Sequence, residues 1–241
     1  MSAADGAPTR VLIHGASGRM GQALLRLASE HPGLAIVGAV TGRTPAQRVV
    51  GNVPYFGAKE LAAVPAFDVA IDFSLPEGFS PMLEVCLARG KPLVSGTTGL
   101  HESQRQAMQQ AAQRIPVLWA SNFSLGVAVL EDLVQRASAL LSQWECDIVE
   151  SHHIHKKDAP SGTALTLGQA AEHGGAQPRY ASLRAGDIVG EHLVQFTGMG
   201  ERVELVHRAT NRDIFARGAL HAARRLASRA PGLYRVKDLL D

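Results

Sequence analysis

The fold of this chain is decided by the stretch Arg10-Val-Leu-Ile-His-Gly-Ala-Ser-Gly-Arg-Met-Gly21. An apolar run is followed at once by three glycines, and residues 22–31 then carry apolar side chains at helical spacing. Pro32 and Gly33 end the helical pattern before a second apolar run over residues 34–40. The order of these signals predicts a strand, a tight turn, a helix and a second strand, which together form a βαβ unit.

The three glycines favour a dinucleotide-binding turn over a purely structural one. Glycines between a strand and a helix let backbone N–H groups approach a pyrophosphate at the start of the helix. Three more apolar runs, at residues 68–73, 92–95 and 116–120, alternate with helical patterns. This alternation predicts an α/β fold, a Rossmann-like doubly wound parallel sheet with right-handed crossovers.

Ligands of doubly wound sheets bind at the carboxyl ends of the strands. The polar turns that follow the first, fourth and fifth predicted strands are therefore expected to converge on one edge of the sheet. The predicted cofactor-binding residues are Gly15, Ala16, Ser17, Gly18, Arg19, Met20, Arg43, Gly96, Thr97, Thr98, Ala120, Ser121, Asn122 and Phe123.

A different pattern begins with a long helical run at Ser124. Strands are predicted at residues 145–155, 183–188, 192–197 and 202–209. The short turns between the later strands favour a mainly antiparallel sheet. Helices are predicted from Thr163 and over residues 211–229. The expected organisation is a dinucleotide-binding domain, residues 1–123 and 212–241, with an inserted α+β substrate-binding domain, residues 124–211.

The inserted domain contains the stretch Glu150-Ser-His-His-Ile-His-Lys-Lys-Asp-Ala-Pro-Ser-Gly-Thr163, which combines three imidazoles, two ammonium groups and a predicted helix start. Helix N-termini expose unpaired N–H groups and carry partial positive charge, so the stretch predicts an anion site with built-in proton donors. A solvated basic loop is one alternative. A zinc site is another, because His153 and His155 would share a strand face. Lys156 and Lys157 disfavour a bound cation, so no metal is predicted.

The run from His152 to Ala164 resembles the signature of the dihydrodipicolinate reductase family, and shorter motifs at residues 15–21, 71–73, 96–99, 122–124 and 184–192 are similar to the same family. The resemblance implies NAD(P)H-dependent reduction of 4-hydroxy-tetrahydrodipicolinate, or of dihydrodipicolinate, to tetrahydrodipicolinate in diaminopimelate and lysine biosynthesis. It also implies a homotetramer in which the second domain serves for oligomerisation.

The resemblance also assigns roles to residues of the second domain. It implies that His152 is the catalytic proton donor and that Lys156 is its partner or a second donor. It further implies that His153, Gly162 and Thr163 bind the dicarboxylate substrate. The chemistry fits, because hydride addition to a conjugated system leaves electron density that must be protonated, and histidine suits that task near neutral pH. Lys156 is expected to lower the pKa of His152.

The choice of cofactor depends on the residues that follow the second strand. An NAD site usually has Asp or Glu at this place, whereas this chain has Thr41-Gly-Arg43. The hydroxyl of Thr41 and the guanidinium of Arg43 are therefore predicted to bind a 2′-phosphate. Use of NADPH or NADH is predicted, with NADPH used at least as well; the alternative is that Arg43 only faces solvent.

Composition excludes several other classes of protein. The net charge of +2 favours neither nucleic acid nor membrane, and no apolar run approaches the length of a membrane span. Cys86 and Cys146 imply no disulfide framework, and residues 1–8, predicted as a disordered tail, lack the features of a secretory signal. A cytoplasmic enzyme is predicted. A semialdehyde dehydrogenase is disfavoured because neither cysteine lies at a strand-end turn. A non-catalytic nucleotide sensor stays as an alternative.

Overall fold

A computed structural model describes residues 7–240, so the tail predicted over residues 1–8 lies mostly outside the described residues. The chain forms two compact units. The first contains the residues up to Phe123 and those from Phe215 onward, and the second runs from Ser124 to Ile214. No helix among the described residues is long and apolar enough to cross a bilayer.

The strands, in chain order, are β1 (Thr9–His14), β2 (Leu34–Thr41), β3 (Val49–Val50), β4 (Val53–Gly57), β5 (Val69–Asp72), β6 (Leu93–Ser95), β7 (Pro116–Trp119), β8 (Glu145–His152), β9 (Pro178–Arg184), β10 (Gly190–Gly198), β11 (Glu201–Ala209) and β12 (Gly232–Tyr234). The α-helices are α1 (Arg19–Leu27), α2 (Pro76–Arg89), α3 (Glu102–Ala111), α4 (Leu125–Leu140), α5 (Gly162–His173) and α6 (Asp213–Leu226). Short 3₁₀ turns occupy Ala28–Glu30, Ala58–Ala63 and Val236–Leu239.

The sheet of the first unit has the strand order β12-β7-β6-β5-β1-β2-β4-β3. All neighbours are parallel except β3 and β4, which form an antiparallel hairpin. The chain builds outward from β1 in both directions, and this reversal of strand order makes the carboxyl end of β1 the expected ligand crevice. The predicted Rossmann-like fold is confirmed.

The first unit differs from the prediction at its edges. The β3–β4 hairpin and β12, which follows the last helix, are strands that the sequence analysis did not predict. The predicted helices are also shorter at their ends: the first passes into a 3₁₀ turn after Leu27, and the last ends at Leu226. Helix ends lack intrahelical partners for their backbone groups and often tighten in this way.

The core of the first unit lies between the sheet and the helices that cover it. Its fully or almost fully buried side chains include Leu12, Ala70, Phe79, Met82, Leu93, Met108 and Val117. Burial of an aliphatic or aromatic side chain of this size contributes about 1.5–3 kcal/mol. These contacts keep the carboxyl ends of the strands, and the turns that leave them, in fixed positions.

The sheet of the second unit has the order β11-β10-β8-β9, with α4 and α5 packed on one face. The expectation of a mainly antiparallel sheet is confirmed by the β8–β10 and β10–β11 pairs, whereas β9 pairs parallel to β8. The predicted strand at residues 183–188 is misplaced, since β9 ends at Arg184. The connection from β8 to β9 passes through α5, and such a crossover returns the chain in the same direction.

The opposite face of the second sheet is open. Val149, Ala181, Leu193 and Val206 form one apolar row across the four strands on this face. Val206 is 43% exposed and the neighbouring Leu183 is 57% exposed. No helix of residues 7–240 that belongs to this unit covers the row.

Candidate active site

The glycine turn lies between β1 and α1 in a conformation that requires glycine. Gly15 has a φ of +81°, and a Cβ there would lie 2.3 Å from the carbonyl oxygen of Phe73. A Cβ on Gly21 would lie 2.3 Å from the carbonyl oxygen of Gly15. Turn geometry therefore explains these two glycines without any ligand. Gly18 is exposed and caps the start of α1 without a side-chain hydrogen bond, so this helix start is open to an anion.

The backbone N–H groups of the turn divide into two sets. Those of Gly15 and Ala16 donate to the carbonyl oxygen of Val40, at 3.0 and 2.9 Å. A phosphate would therefore be bound by the N–H groups of the first turn of α1, from Arg19 onward, which have no acceptor within the helix. Ser17, Gly18 and Arg19 are exposed at this point.

Two adjoining cavities of the first unit match the size of a dinucleotide site. One, of about 500 Å³, is lined by His14, Gly15, Gly18, Phe73 and Ser74 among others. The other, of about 570 Å³, is lined by Thr41, Arg43, Gln47, Val50 and Tyr55 among others. Ser17 and Gly42 line both cavities. Small-molecule and cofactor sites typically have volumes of roughly 300–1,000 Å³, so these residues fit a bound dinucleotide.

Arg43 is the cation that the second cavity offers to a ligand. It is exposed and has no ion pair with any of the described residues. Arg48, by contrast, lies 2.7 Å from Glu60. Thr41 also lines this cavity, and its buried hydroxyl donates to the carbonyl oxygen of Arg43 at 2.7 Å.

The predicted strand-end turns do converge, and Phe73 joins them. The Phe73 and Phe123 rings lie 5.3 Å apart, and a Cβ on Gly96 would lie 2.1 Å from the Phe73 ring. With the carbonyl of Phe73 against Gly15, one residue contacts three of the predicted turns. Thr98 and Ser121 are exposed in these turns, and Met20, Ala120 and Asn122 are partly exposed.

A buried polar network below the turns was not predicted. Asp72 is fully buried and accepts hydrogen bonds from His14 Nδ1 at 2.9 Å, Ser95 Oγ at 2.9 Å and Thr97 Oγ1 at 2.8 Å. Burial would raise the pKa of Asp72, but the hydrogen bonds from His14, the Ser74 N–H and Thr97 lower it. The side chain of Thr97, predicted to bind cofactor, is thus engaged inside the protein. The sequence signal for this network was Asp72 itself, a titratable residue at the end of an apolar strand.

The second unit places Glu150 and His152 on the face of β8 that carries the helices. Glu150 is 1% exposed and His152 is 8% exposed. The carboxylate of Glu150 accepts from His152 Nδ1, from the Ser161 N–H at 3.2 Å, and from both terminal nitrogens of Arg184, at 2.9 and 2.8 Å. Neither Glu150 nor Arg184 was predicted as a site residue. The spacing of Glu150 and His152, two residues apart on a strand, was the available signal.

The charges of this cluster shift the pKa values of its members. Burial acts to raise the pKa of Glu150, but hydrogen bonds led by those of Arg184 lower it to about 2. The pKa of His152 is lowered mainly by burial, and further by the charges of Lys156 and Arg184, while Glu150 opposes this. Lys156 thus acts on the pKa of His152 in the predicted direction, with a smaller contribution than burial.

Lys156 lies in the loop that follows β8. Its Nζ atom is 2.8 Å from Asp158, and the guanidinium of Arg184 donates to the carbonyl oxygens of Lys156 at 3.3 Å and Asp158 at 2.6 Å. His153 begins the loop and lies 3.4 Å from the guanidinium of Arg212. No group of three or more His, Cys, Asp or Glu side chains within the described part of the chain has the arrangement of a metal site.

The helix α5 begins beside His152, the predicted proton donor. Ser161 caps it by accepting from the Ala164 N–H at 3.2 Å, and Gly162 and Thr163 form its first turn. The Ser161 hydroxyl also lies 3.2 Å from Nε2 of His192, whose ring packs edge-on against His152 at 5.2 Å. His192 was not predicted as a site residue, although the motif at residues 184–192 contained it. Together these groups place a helix start, which is suited to bind an anion, next to a buried imidazole.

Both units match models of one protein family. Residues 9–123 match the model described as dihydrodipicolinate reductase, N-terminus, and residues 126–240 match dihydrodipicolinate reductase, C-terminus. A curated 4-hydroxy-tetrahydrodipicolinate reductase from Stenotrophomonas maltophilia is 75% identical over 235 residues, which cover 97% of this chain and 98% of the relative. Another, from Xanthomonas campestris pv. campestris, is 72% identical over 233 residues and covers the same shares.

Solved structures share the fold. A dipicolinate-bound dihydrodipicolinate reductase from a Paenisporosarcina species has a TM-score of 0.81 at 22% identity, over 95% of this chain and 97% of the other. A DAP dehydrogenase from C. glutamicum in complex with DAP has a TM-score of 0.64 at 15% identity, over 98% and 96%. The fold and the two sites define a dinucleotide-dependent oxidoreductase. The chain belongs to the dihydrodipicolinate reductase family, and the resemblance noted in its sequence is confirmed.

Proposed function

We propose that this chain reduces 4-hydroxy-tetrahydrodipicolinate, or dihydrodipicolinate, to tetrahydrodipicolinate with NADPH or NADH, in the diaminopimelate route to lysine. Relatives that are 72–75% identical over nearly the whole chain carry the name of this activity. The observation that carries the proposal is the buried His152, held by Glu150 at the start of α5 and next to the Lys156 loop.

The chain's own residues supply a proton and anion binding. A bound reduced nicotinamide would supply the hydride, and the conjugated double bond that accepts it must also gain one proton; the hydroxylated substrate loses water as well. His152 is the proposed donor of that proton, with Lys156 as its partner or a second donor. The first N–H groups of α5, at Gly162 and Thr163, together with His153 and Lys156, would bind the two carboxylates.

The cofactor is proposed to be bound by the glycine turn and the strand-end turns of the first unit, with NADPH used at least as well as NADH. Arg43 supports this choice, because it is an exposed cation lining the cavity next to the glycine turn. No carboxylate occupies positions 41–43, where an NAD site usually has Asp or Glu.

A homotetramer and a cytoplasmic location are further parts of the proposal. The open apolar row of the second sheet supports self-association through this unit, since large exposed apolar patches mark interaction surfaces. Both cysteines are free and buried, which agrees with a reducing compartment.

The proposal is tested by His152→Gln and Lys156→Ala. Each change removes a proton-donating side chain, so kcat with 4-hydroxy-tetrahydrodipicolinate should fall roughly 10²- to 10⁴-fold, while cofactor affinity should barely change because the glycine turn lies in the other unit. The measurements are substrate-dependent oxidation of reduced cofactor and cofactor binding by fluorescence titration. A wild-type protein that binds NADPH but never oxidises it with this substrate would favour a nucleotide sensor instead.

A further inference from the structure

We propose that Glu150 and Arg184 are positioning residues for both proton-donating side chains. Glu150 holds the Nδ1–H of His152 so that the proton leaves from Nε2, and Arg184 holds the loop that carries Lys156. This inference rests on the proposed function and adds two residues to its machinery, neither of which touches the substrate.

The assignment of Nε2 follows from what Glu150 can do. An ionised carboxylate only accepts hydrogen bonds, so the contact with His152 requires a hydrogen on Nδ1 in both the neutral and the protonated ring. The proton that His152 exchanges must then be the one on Nε2. The side of the ring that carries Nε2 faces Gly190, where a Cβ would lie only 3.0 Å away, so no side chain of that residue crowds the reactive nitrogen.

Hydrogen bonds to both oxygens fix the position of the Glu150 carboxylate, and this carboxylate in turn orients the His152 ring. One oxygen accepts from His152 and Arg184, and the other accepts from Arg184 and the Ser161 N–H. A carboxylate has about four acceptor positions, and these contacts engage both oxygens of Glu150. Because Ser161 caps α5, the same carboxylate links the proton donor to the helix start that is proposed to bind the substrate anion.

Arg184 extends this arrangement to Lys156. Two of its donors bind Glu150, and the other three bind the carbonyl oxygens of Lys156 at 3.3 Å, Asp158 at 2.6 Å and Leu183 at 2.6 Å. A guanidinium has five N–H donors in a fixed plane, so all of them are used here. The ammonium of a lysine could not make this set of contacts.

The principal test is Glu150→Gln. Activity that needs protonated His152 is lost as pH rises through the pKa of that ring. The charged groups around the ring are Glu150 on β8, Lys156 in the loop and Arg184 on β9, with neutral His192 on β10. Loss of the only anion among them should move the alkaline limb of kcat to lower pH and reduce kcat roughly 10- to 100-fold, the effect usual for a residue that orients another. The KM for substrate should change less than about threefold.

The matched control is Asp132→Asn. This residue forms an ion pair with Arg136 at 2.8 Å on the exposed side of α4, in the same unit. Its kcat and pH profile should equal those of the wild type. A Glu150→Gln enzyme with reduced kcat but an unshifted alkaline limb would assign Glu150 a merely structural role and overturn the proposal.

Two measurements do not depend on Glu150→Gln folding. ¹⁵N NMR of the wild-type His152 ring should show the hydrogen of the neutral form on Nδ1, and a hydrogen on Nε2 would overturn the proposal. Arg184→Lys should leave this tautomer in place while kcat falls about tenfold, because the Lys156 loop is released; unchanged kcat would remove Arg184 from the proposal. The NMR result needs no turnover, so an inactive wild type with Nδ1–H would contradict the proposed function and leave the positioning role standing.

Discussion

At the scale of single residues, Glu150 and Asp68 have carboxyl groups with the same pKa of about 2 for different reasons. Asp68 owes its low pKa mainly to a hydrogen bond from Arg10 at the surface, where the Arg10 side chain is 45% exposed. Glu150 reaches the same value while buried, with the partly buried Arg184 and the buried His152 as partners. Exposed ion pairs contribute about 0–1 kcal/mol, whereas removal of one partner of a buried pair costs about 3–5 kcal/mol.

This contrast predicts how stability depends on pH. The folded-state pKa of Glu150 is lowered, so its contribution to stability is present above about pH 4.5 and is lost as pH falls toward 2. The free energy of unfolding in urea should therefore differ strongly between wild type and Glu150→Gln at pH 7, and less at pH 3. Asp68→Asn should have a much smaller effect at pH 7 that disappears in high salt. Equal costs for the two variants would contradict this account of Glu150.

Arg43 carries a second prediction at the residue scale. Arg43→Ala should lower kcat/KM for NADPH about tenfold or more, corresponding to about 1.4 kcal/mol of phosphate contact, and leave the value for NADH nearly unchanged. Arg48→Ala is the matched control, because Arg48 is already paired with Glu60 and should affect the two cofactors alike. A wild type that strongly prefers NADH would show that the 2′-phosphate is not bound by Arg43.

At the scale of elements, the start of α5 is where charge and backbone geometry combine. Ser161 caps the helix by accepting from the Ala164 N–H, and the positive end of the helix dipole lies at this first turn. The loop before the helix adds Lys156 and His153. A dicarboxylate has two negative charges. The start of α5 would bind one carboxylate, so the other would need the side chains of Lys156 and His153.

The element therefore predicts selective inhibition. Pyridine-2,6-dicarboxylate should inhibit competitively against the substrate, and much more strongly than pyridine-2-carboxylate. Thr163→Ala should weaken this inhibition about tenfold, which corresponds to one hydrogen bond to a charged group. Thr166→Ala, one turn later on the same helix, is the control, since that hydroxyl donates to the Gly162 carbonyl at 3.1 Å. Equal inhibition by both carboxylates would argue against two anion subsites.

The elements also show how far the sequence alone could lead. The glycine turn and its βαβ unit were predictable because the signals are adjacent in the chain. The placement of β9 was not, because its exposed residues, Pro178–Arg184, show no alternation and its parallel pairing depends on the crossover through α5. The role of Glu150 could have been predicted from its spacing from His152. The contact of Glu150 with Arg184 could not, because it joins residues 34 positions apart and has no local signal in the sequence.

At the scale of the whole molecule, the two units divide the chemistry. The first contains the cavities and helix start that fit a dinucleotide, and the second contains the proposed proton donors and anion site. The second unit also has the open sheet face with its row of Val149, Ala181, Leu193 and Val206. An exposed apolar row of this kind on a four-stranded sheet favours the proposed self-association through this face.

If the open face of the second sheet is a subunit interface, a single charge introduced there should change the oligomeric state. Leu193→Lys places an ammonium in the middle of the row and should convert the proposed tetramer to a smaller species in light scattering, with an unchanged circular dichroism spectrum. Leu140→Lys is the control, because Leu140 is 85% exposed on α4 and lies outside the sheet. A wild type that is monomeric at micromolar concentration, or a Leu193→Lys protein that stays tetrameric, would contradict the assignment of this face.

The buried network of Asp72 has a consequence for how the first sheet finds its alignment. The strands β1, β5 and β6 are apolar on both faces, so hydrophobicity alone would tolerate a shift of one strand along another. His14, Asp72 and Ser95 are paired neighbours across these strands, one at the carboxyl end of each. A register shift of one residue would leave the Asp72 carboxylate buried without hydrogen-bond donors, which would lower the free energy of unfolding by several kcal/mol. The three polar side chains thus specify the register of β1, β5 and β6. This register fixes the relative positions of the turns that form the proposed nucleotide site.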